Sequence, residues 1–157
     1  MKILVLSDSH HRADAVDKIL SREQTCNEVF FLGDFVSDIE DYRYIYPKRN
    51  FHIVSGNCDY MSFYQNAGLE KIEGVSIFYT HGHTYYVKSG SDYISNAAAQ
   101  RNCHIALYGH THIPSIEIKN GIFIINPGSC GQSRKGGETY AVIDITDGNI
   151  YPEIRLV

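Results

Sequence analysis

Seven side chains of metal-binding type stand at the ends of five short apolar runs. Ile3-Leu-Val-Leu-Ser7 leads into Asp8-Ser9-His10, and Val29-Phe-Phe-Leu-Gly33 into Asp34. His52-Ile-Val-Ser-Gly56 leads into Asn57-Cys58-Asp59, Ile77-Phe-Tyr-Thr80 into His81-Gly82-His83, and Ile105-Ala-Leu-Tyr-Gly109 into His110-Thr111-His112. Imidazole, carboxylate and amide oxygen, without thiolate, suit a divalent cation of borderline hardness. One ion has no need of seven such groups; two ions sharing a carboxylate do. Two metals roughly 3.5–4 Å apart are the usual clamp for the attacking and leaving oxygens of phosphoryl chemistry. Taken singly, each residue reads as readily as a helix cap or turn former, Asp8 and Asn57 above all; the case rests on all five groups together.

The elements that must position these groups are legible as periodicity. Apolar runs at 3–6, 29–32, 51–54, 75–79 and 105–108 alternate with stretches of helical period at 12–22, 38–46 and 91–101, the last capped by Ser91 and Asp92. Such alternation predicts a largely parallel sheet with packed helices, and ligands of such sheets gather beyond the strands' carboxyl ends. Residues two apart on an extended segment share a side, which lets Asp8 and His10 serve one ion. Glycines before Asp34, Asn57 and His110 permit tight turns. His52 and His104 sit at strand starts, the opposite end, and read as structural. The second half changes character. Asn120-Gly121, and Asp147-Gly148 between 139–145 and 150–156, predict hairpins, with Pro152 confining the last strand to an edge. Hairpins late and helices early suggest two stacked sheets.

Composition narrows the functional classes. Net charge is −4, with 43% hydrophobic and 20% charged residues, and the longest basic cluster is Lys48-Arg49. General nucleic-acid binding and attraction to an anionic membrane are not indicated. The N-terminal apolar run is too short for a signal-peptide core, and nothing approaches a membrane span. Four scattered cysteines without a C-x-x-C pair fit a reduced, cytoplasmic protein. A nucleotide-binding α/β domain is set aside because both glycine-rich phosphate loops are missing. Nothing here sets the oligomeric state.

In order, Asp8-x-His10, Gly33-Asp34, Gly56-Asn57-Cys58-Asp59, His81 and Gly109-His110-Thr111-His112 resemble the signature of the calcineurin-like metallophosphoesterase superfamily. Asn126-Pro127-Gly128-Ser129 further resembles its small single-domain phosphodiesterases. The resemblance implies one domain over residues 1–157, an α/β fold built as a four-layer α-β-β-α sandwich of two mixed sheets. It implies two divalent ions, one on Asp8, His10, Asp34 and His112, the other on Asp34, Asn57, His81 and His110. Manganese is the first expectation, with iron, nickel, cobalt or zinc open to N/O ligands. A hydroxide shared by the ions would attack the phosphorus of a small phosphodiester, with Asn57 also binding substrate.

The larger enzymes of the superfamily carry His where this chain has Cys58. Nearby metal charge would push a thiol toward thiolate, which cannot donate a proton, so diesters or activated esters are favoured over alkyl monoesters. His83 is a further candidate for catalysis and Arg134 for a phosphate oxygen; His11 is a weaker one, Asp59 a cap or support. The Tyr42–Tyr46 run reads as packing rather than a nucleobase platform. The competing function is a protein-interaction scaffold on the same fold, as in the retromer subunit. A scaffold is free to lose ligands, and all seven positions here hold competent ones.

Overall fold

Strands that are apolar on both sides need cover on both sides, and this requirement organises the chain. The computed structural model describes residues 1–157. In chain order the elements are β1 (Lys2–Leu6), α1 (Ala13–Arg22), β2 (Glu28–Phe31), α2 (Tyr42–Ile45), β3 (Asn50–Ile53), β4 (Ala67–Ile72) and β5 (Val75–Thr80). There follow α3 (Asp92–Gln100), β6 (Ile105–Leu107), β7 (Ser115–Lys119), β8 (Ile122–Asn126), β9 (Thr139–Thr146) and β10 (Asn149–Leu156). They form two mixed five-stranded sheets, ordered β10-β9-β1-β2-β3 and β4-β5-β6-β8-β7. In the first, β1, β2 and β3 run parallel to one edge and β9 and β10 are added by antiparallel pairing; in the second, the central β5, β6 and β8 run parallel and β4 and β7 flank them antiparallel.

Alternation along the strands divides the interior into three layers. Ile3, Val5, Phe30 and Leu32 meet Ile77, Tyr79, Ile105 and Leu107 between the sheets. Leu4, Leu6, Val29 and Phe31 turn outward beneath Val16, Ile19 and Leu20 of α1. Phe78, Ala106 and Ile124 lie beneath Ile94 and Ala98 of α3. This is the expected four-layer sandwich. No helix is long and apolar enough to cross a membrane. All four cysteines are free, three of them buried.

Both expected hairpins form on two-residue turns with left-handed backbone, φ 53° and 79° at Asn120-Gly121 and 52° and 76° at Asp147-Gly148. Pro152 lies on β10, an edge strand. Ile150 and Ile154 pack onto the inter-sheet core, whereas Leu156 is 64% exposed.

Other expectations are corrected. The helix at 38–46 shrinks to a 3-10 turn at Val36–Asp38 and the single turn of α2. Asp59 fixes the start of that segment from outside, and Pro47 disfavours helical geometry at Tyr46. The Tyr42 and Tyr46 rings stack at 6.2 Å against the core under α1, which supports the packing reading. Ser91 makes no cap bond to α3; its hydroxyl donates to Glu117 instead, at 2.8 Å. β4 was not expected, because its Ala-Gly-Leu-Glu-Lys-Ile has little β character; pairing with β5 creates it. His52 is structural, with Nε2 at 2.7 Å from Glu28 and Nδ1 at 3.3 Å from Glu70, which ties an edge of one sheet to an edge of the other. His104 accepts the Ser76 N–H through Nδ1 at 3.0 Å.

One ion-pair network closes the far side of the fold. Glu23 accepts from the Tyr140 hydroxyl at 2.7 Å and from Arg155 at 2.9 and 3.0 Å. Burial pushes the Glu23 carboxyl up, but Tyr140 and Arg155 outweigh it and hold the group below its ordinary value. A depressed carboxyl contributes stability above its unfolded pKa, and the contribution is lost as pH falls through the folded one. Arg155→Gln is therefore expected to lower unfolding free energy by about 1–2 kcal/mol at pH 7, a figure discounted for partial exposure of the arginine. Urea midpoints of wild type and variant should converge toward pH 3; a gap independent of pH would contradict this linkage.

Candidate metal centre

The seven expected ligands converge in the crevice beyond the strands' carboxyl ends, but by a different local device from the one anticipated. Asp8, His10, Asp34, His110 and His112 all adopt left-handed backbone, with φ of 55°, 45°, 61°, 68° and 59°. Asp8 and His10 thus reach one place through a strained turn and not through strand alternation. Such strain in non-glycine residues clusters at functional sites, where surrounding structure holds it. Gly33 does take positive φ, at 90°. Gly56 and Gly109 serve instead for close approach. A Cβ at Gly56 would collide with the Asp34 carboxylate, and one at Gly109 with the side chains of Ser7 and Asp8.

Two clusters result. Ligand atoms of Asp8, His10, Asp34 and His112 all lie within 4.8 Å of one another. His112 Nε2 is 3.1 Å from Asp8 Oδ1 and 3.2 Å from His10 Nε2. In the second, His81 Nε2 lies 3.1 Å from Asn57 Oδ1, 3.1 Å from His110 Nδ1 and 3.5 Å from Asp34 Oδ1. Asp34 faces both, its Oδ2 being 3.7 Å from His10 Nε2.

The donor set fits cations on three counts. His81 Nδ1 donates to the Leu32 carbonyl at 2.7 Å and His112 Nδ1 to the Gln132 carbonyl at 2.6 Å, which leaves each Nε2 lone pair aimed inward. Two pairs of ring nitrogens face each other at 3.1–3.2 Å, close enough for one cation to take both as ligands. Asp8 Oδ2 accepts from Ser7 and from the His110 N–H, while its buried Oδ1 has only His112 Nε2 at 3.1 Å, a donor when that ring is protonated and none when it is neutral. An unpaired buried carboxylate oxygen is costly without a cation.

Burial, then His81 and Lys88, presses the His110 imidazole down to about 4. Burial followed by His112 lowers His10. Neutral imidazoles are the metal-binding form. Burial opposes ionisation of Asp8, yet His112, His81 and Ser7 prevail and hold its carboxyl below the ordinary value. Burial also presses on His112, and there Asp8 and the Gln132 carbonyl prevail and raise it.

Behind the ligands stand the residues that hold them, among them Asp59, expected as a cap or support. The Asp59 carboxylate accepts four backbone N–H groups, from Asp34, Phe35, Val36 and Gly56, at 2.7–2.9 Å. It fastens the Asp34 turn to the Asn57 turn. Asn126 donates to the Gly109 carbonyl and to Thr111, and Ser129 donates to the Asp8 carbonyl at 2.6 Å. The Asn-Pro-Gly-Ser segment is thus the brace between the Asp8 and His110 turns. Its motif was visible in the sequence; its partners, more than a hundred residues away in the case of Asp8, were not.

The remaining candidates divide. Cys58 donates its backbone N–H to Asp34 Oδ1 at 2.9 Å. Without metal charge, burial and then the neighbouring Asp34 push the Cys58 thiol up to about 11; the expected thiolate belongs to the metal-loaded site. His83 packs beside the second cluster, 5.4 Å from the His81 ring and 6.1 Å from that of His110, and its Nδ1 is buried without a partner. His11 is exposed and lies tilted against Phe35, ring centroids 3.9 Å apart, outside the clusters. Arg134 is exposed, with its N–H on the His112 carbonyl at 3.3 Å. Past Cys58, a cavity of about 420 Å³ is walled by Phe35, Tyr60, Met61 and Phe63.

Comparison with known proteins bears on this centre. Residues 1–148 match the family model of the calcineurin-like phosphoesterase superfamily domain. A phosphodiesterase of Methanocaldococcus jannaschii is 26% identical over 172 aligned positions, covering 99% of each chain. The crystal structure of a predicted phosphoesterase from Streptococcus pneumoniae superposes with a TM-score of 0.84 at 28% identity, covering 98% of this chain and 87% of that one. The vacuolar protein sorting 29 of Cryptosporidium parvum superposes with a TM-score of 0.76 at 18% identity, covering 98% and 96%; at that identity the likeness is one of fold alone.

Proposed function

The chain belongs to the calcineurin-like phosphoesterase superfamily, and from that premise we propose that it is a metal-dependent phosphodiesterase acting on a small phosphate diester. The observation that carries this reading is the pair of inward-facing clusters sharing Asp34, with every ligand position filled. Asp8, His10, Asp34 and His112 would hold one divalent ion, and Asp34, Asn57, His81 and His110 the second, manganese being the first choice. A bound pair supplies an activated water at neutral pH and neutralises charge on the phosphoryl group.

The chain's own residues then set geometry and access. His81 and His112 are held in register by their carbonyl partners, so the lone pairs need no reorientation on binding. Asn57, exposed at the mouth, orients a phosphoryl oxygen as well as a cation. One ester arm lies against the Phe35, Tyr60, Met61 and Phe63 wall next to Cys58. Cys58 beside Asn57 and His83 beside His81 serve the reacting group at the second cluster, and Arg134 serves a substrate oxygen outside that group, beyond the first.

A metal-reconstituted assay tests this. Stripped protein supplied with Mn²⁺ is expected to cleave bis(4-nitrophenyl) phosphate faster than 4-nitrophenyl phosphate, and chelator should abolish both. Absence of turnover with Mn, Fe, Co, Ni and Zn alike would overturn the enzyme reading and favour the scaffold. Within the same assay, Cys58→Ala is expected to cost alkyl esters more than aryl esters, since only the former need help at the leaving oxygen. Equal losses would reduce the thiol to a spacer.

A further inference from the structure

Beside the His110–His112 turn lies a cavity of about 340 Å³ whose walls include Lys88, Thr111, Ser115, Glu117 and Arg134. Thr111 separates the two histidines, and Arg134 is bound through its N–H to the His112 carbonyl, so the cavity begins where the metal cluster ends. Its size is within the range of sites that hold small organic ligands.

One charge on its rim, that of Arg134, is unusual for this molecule. Every other arginine donates through its guanidinium to a carboxylate, hydroxyl or carbonyl. The Arg134 guanidinium donates to nothing, and the Lys88 ammonium, like that of every lysine but Lys119, enters no ion pair or hydrogen bond. Both are exposed in a chain whose net charge is −4. Lys88 is also held in place by its backbone. It follows the buried Val87 in a 3-10 turn bounded by left-handed Tyr86, φ 51°, and by Gly90, φ 129°. Glu117 is the cavity's one carboxylate, and it is engaged: Ser91 donates to it at 2.8 Å and Lys119 lies 3.7 Å away. The free charge on the walls is therefore positive, and it comes from two side chains separated by 46 positions in sequence (134 less 88).

We propose that Lys88 and Arg134 frame a subsite for a second phosphate group on the substrate, next to the phosphoryl group at the metal cluster. The assignment rests on the phosphodiesterase reading and narrows it to diesters in which one arm itself carries a phosphate monoester. A planar guanidinium grips two oxygens of a phosphate at once, and the lysine adds a compact charge to the same cavity. A diester with two neutral arms leaves both cations in water and gains nothing from them.

Two measurements test the subsite. The first compares thymidine 5′-(4-nitrophenyl phosphate) with the same ester bearing a 3′-phosphate, on wild type and on the Lys88→Gln/Arg134→Gln double variant. Wild type is expected to favour the phosphorylated ester about tenfold in kcat/KM, mainly through KM, and the double variant to lose that preference. Proportional losses on both esters, or an intact preference, would overturn the subsite. The second reads binding without turnover: methylenediphosphonate titrated calorimetrically into Mn²⁺-loaded protein should bind about tenfold more weakly to the variant than to wild type. Equal affinities would again overturn it. Should neither ester be cleaved by any protein, the hydrolase reading falls, and the calorimetric comparison still decides whether the two cations form an anion site.

Discussion

Asp34→Asn is expected to lower kcat/KM on bis(4-nitrophenyl) phosphate by about a thousandfold or more while leaving the metal-free fold at least as stable as wild type. Asp34 reaches the two clusters with separate oxygens, through Oδ1 to His81 at 3.5 Å and through Oδ2 to His10 at 3.7 Å. Asp8 comes within 4.0 Å of His81 as well, but with the same Oδ1 that lies 3.1 Å from His112. An amide keeps the shape but removes one charge and turns a donor toward a cation, so bound metal should fall from two ions per chain to one or fewer by elemental analysis. Stability should move the other way. In the metal-free protein Asp34 and Asp8 are buried carboxylates of one cluster, and neutralising one relieves repulsion. Active sites of this kind are held at a cost in stability. Turnover within tenfold of wild type would remove Asp34 from the bridging position.

Asp59→Ala is expected to fail in the opposite way, by unfastening the site. Four backbone N–H groups lose a charged acceptor, three of them at consecutive residues from Asp34. Bonds to a charged group contribute about 1.5–3 kcal/mol each, and their losses overlap because one carboxylate makes all four. An overall loss of about 3 kcal/mol or more in urea unfolding is expected. Activity should drop with it, because the left-handed turns at Asp34 and Phe35 no longer have an external brace. Asp59→Asn should rescue little: its amide nitrogen would meet N–H groups that need an acceptor. The two aspartate variants therefore separate ligand from support. One loses turnover with the fold intact; the other loses both, in a metal-free denaturation curve as well as in the assay. A stable, inactive Asp59→Ala would instead mark Asp59 as a participant in the chemistry.

The same division governs what could be read in advance. Asp8, Asp34, Asn57, His81 and His110 were legible because each follows a run of buried β-branched or aromatic residues, and the end of such a run is a local signal. Asn120-Gly121 and Asp147-Gly148 were legible because a left-handed pair of turn residues leaves its mark on the residues themselves. The failures lie where a distant partner decided the outcome. β4 exists because β5 offers it a ladder; the chain entering the helix expected at 38–46 is pinned at Phe35 and Val36 by the Asp59 carboxylate; Ser91 abandons its cap for Glu117 on the neighbouring strand.

The sequence alone determined the ligand types, their order and the two-sheet character, since each depends on composition and on periods of two or 3.6 residues. Only the tertiary structure decided that His10 and His112, 102 positions apart, face each other at 3.2 Å. It also decided that Asp59 and the Asn-Pro-Gly-Ser segment hold the ligand turns, and that Lys88 and Arg134 share a cavity. The physical reason is the same in each case. A left-handed φ at Asp8 or His112 is unfavourable by itself and is sustained by contacts with chain segments that no local window contains.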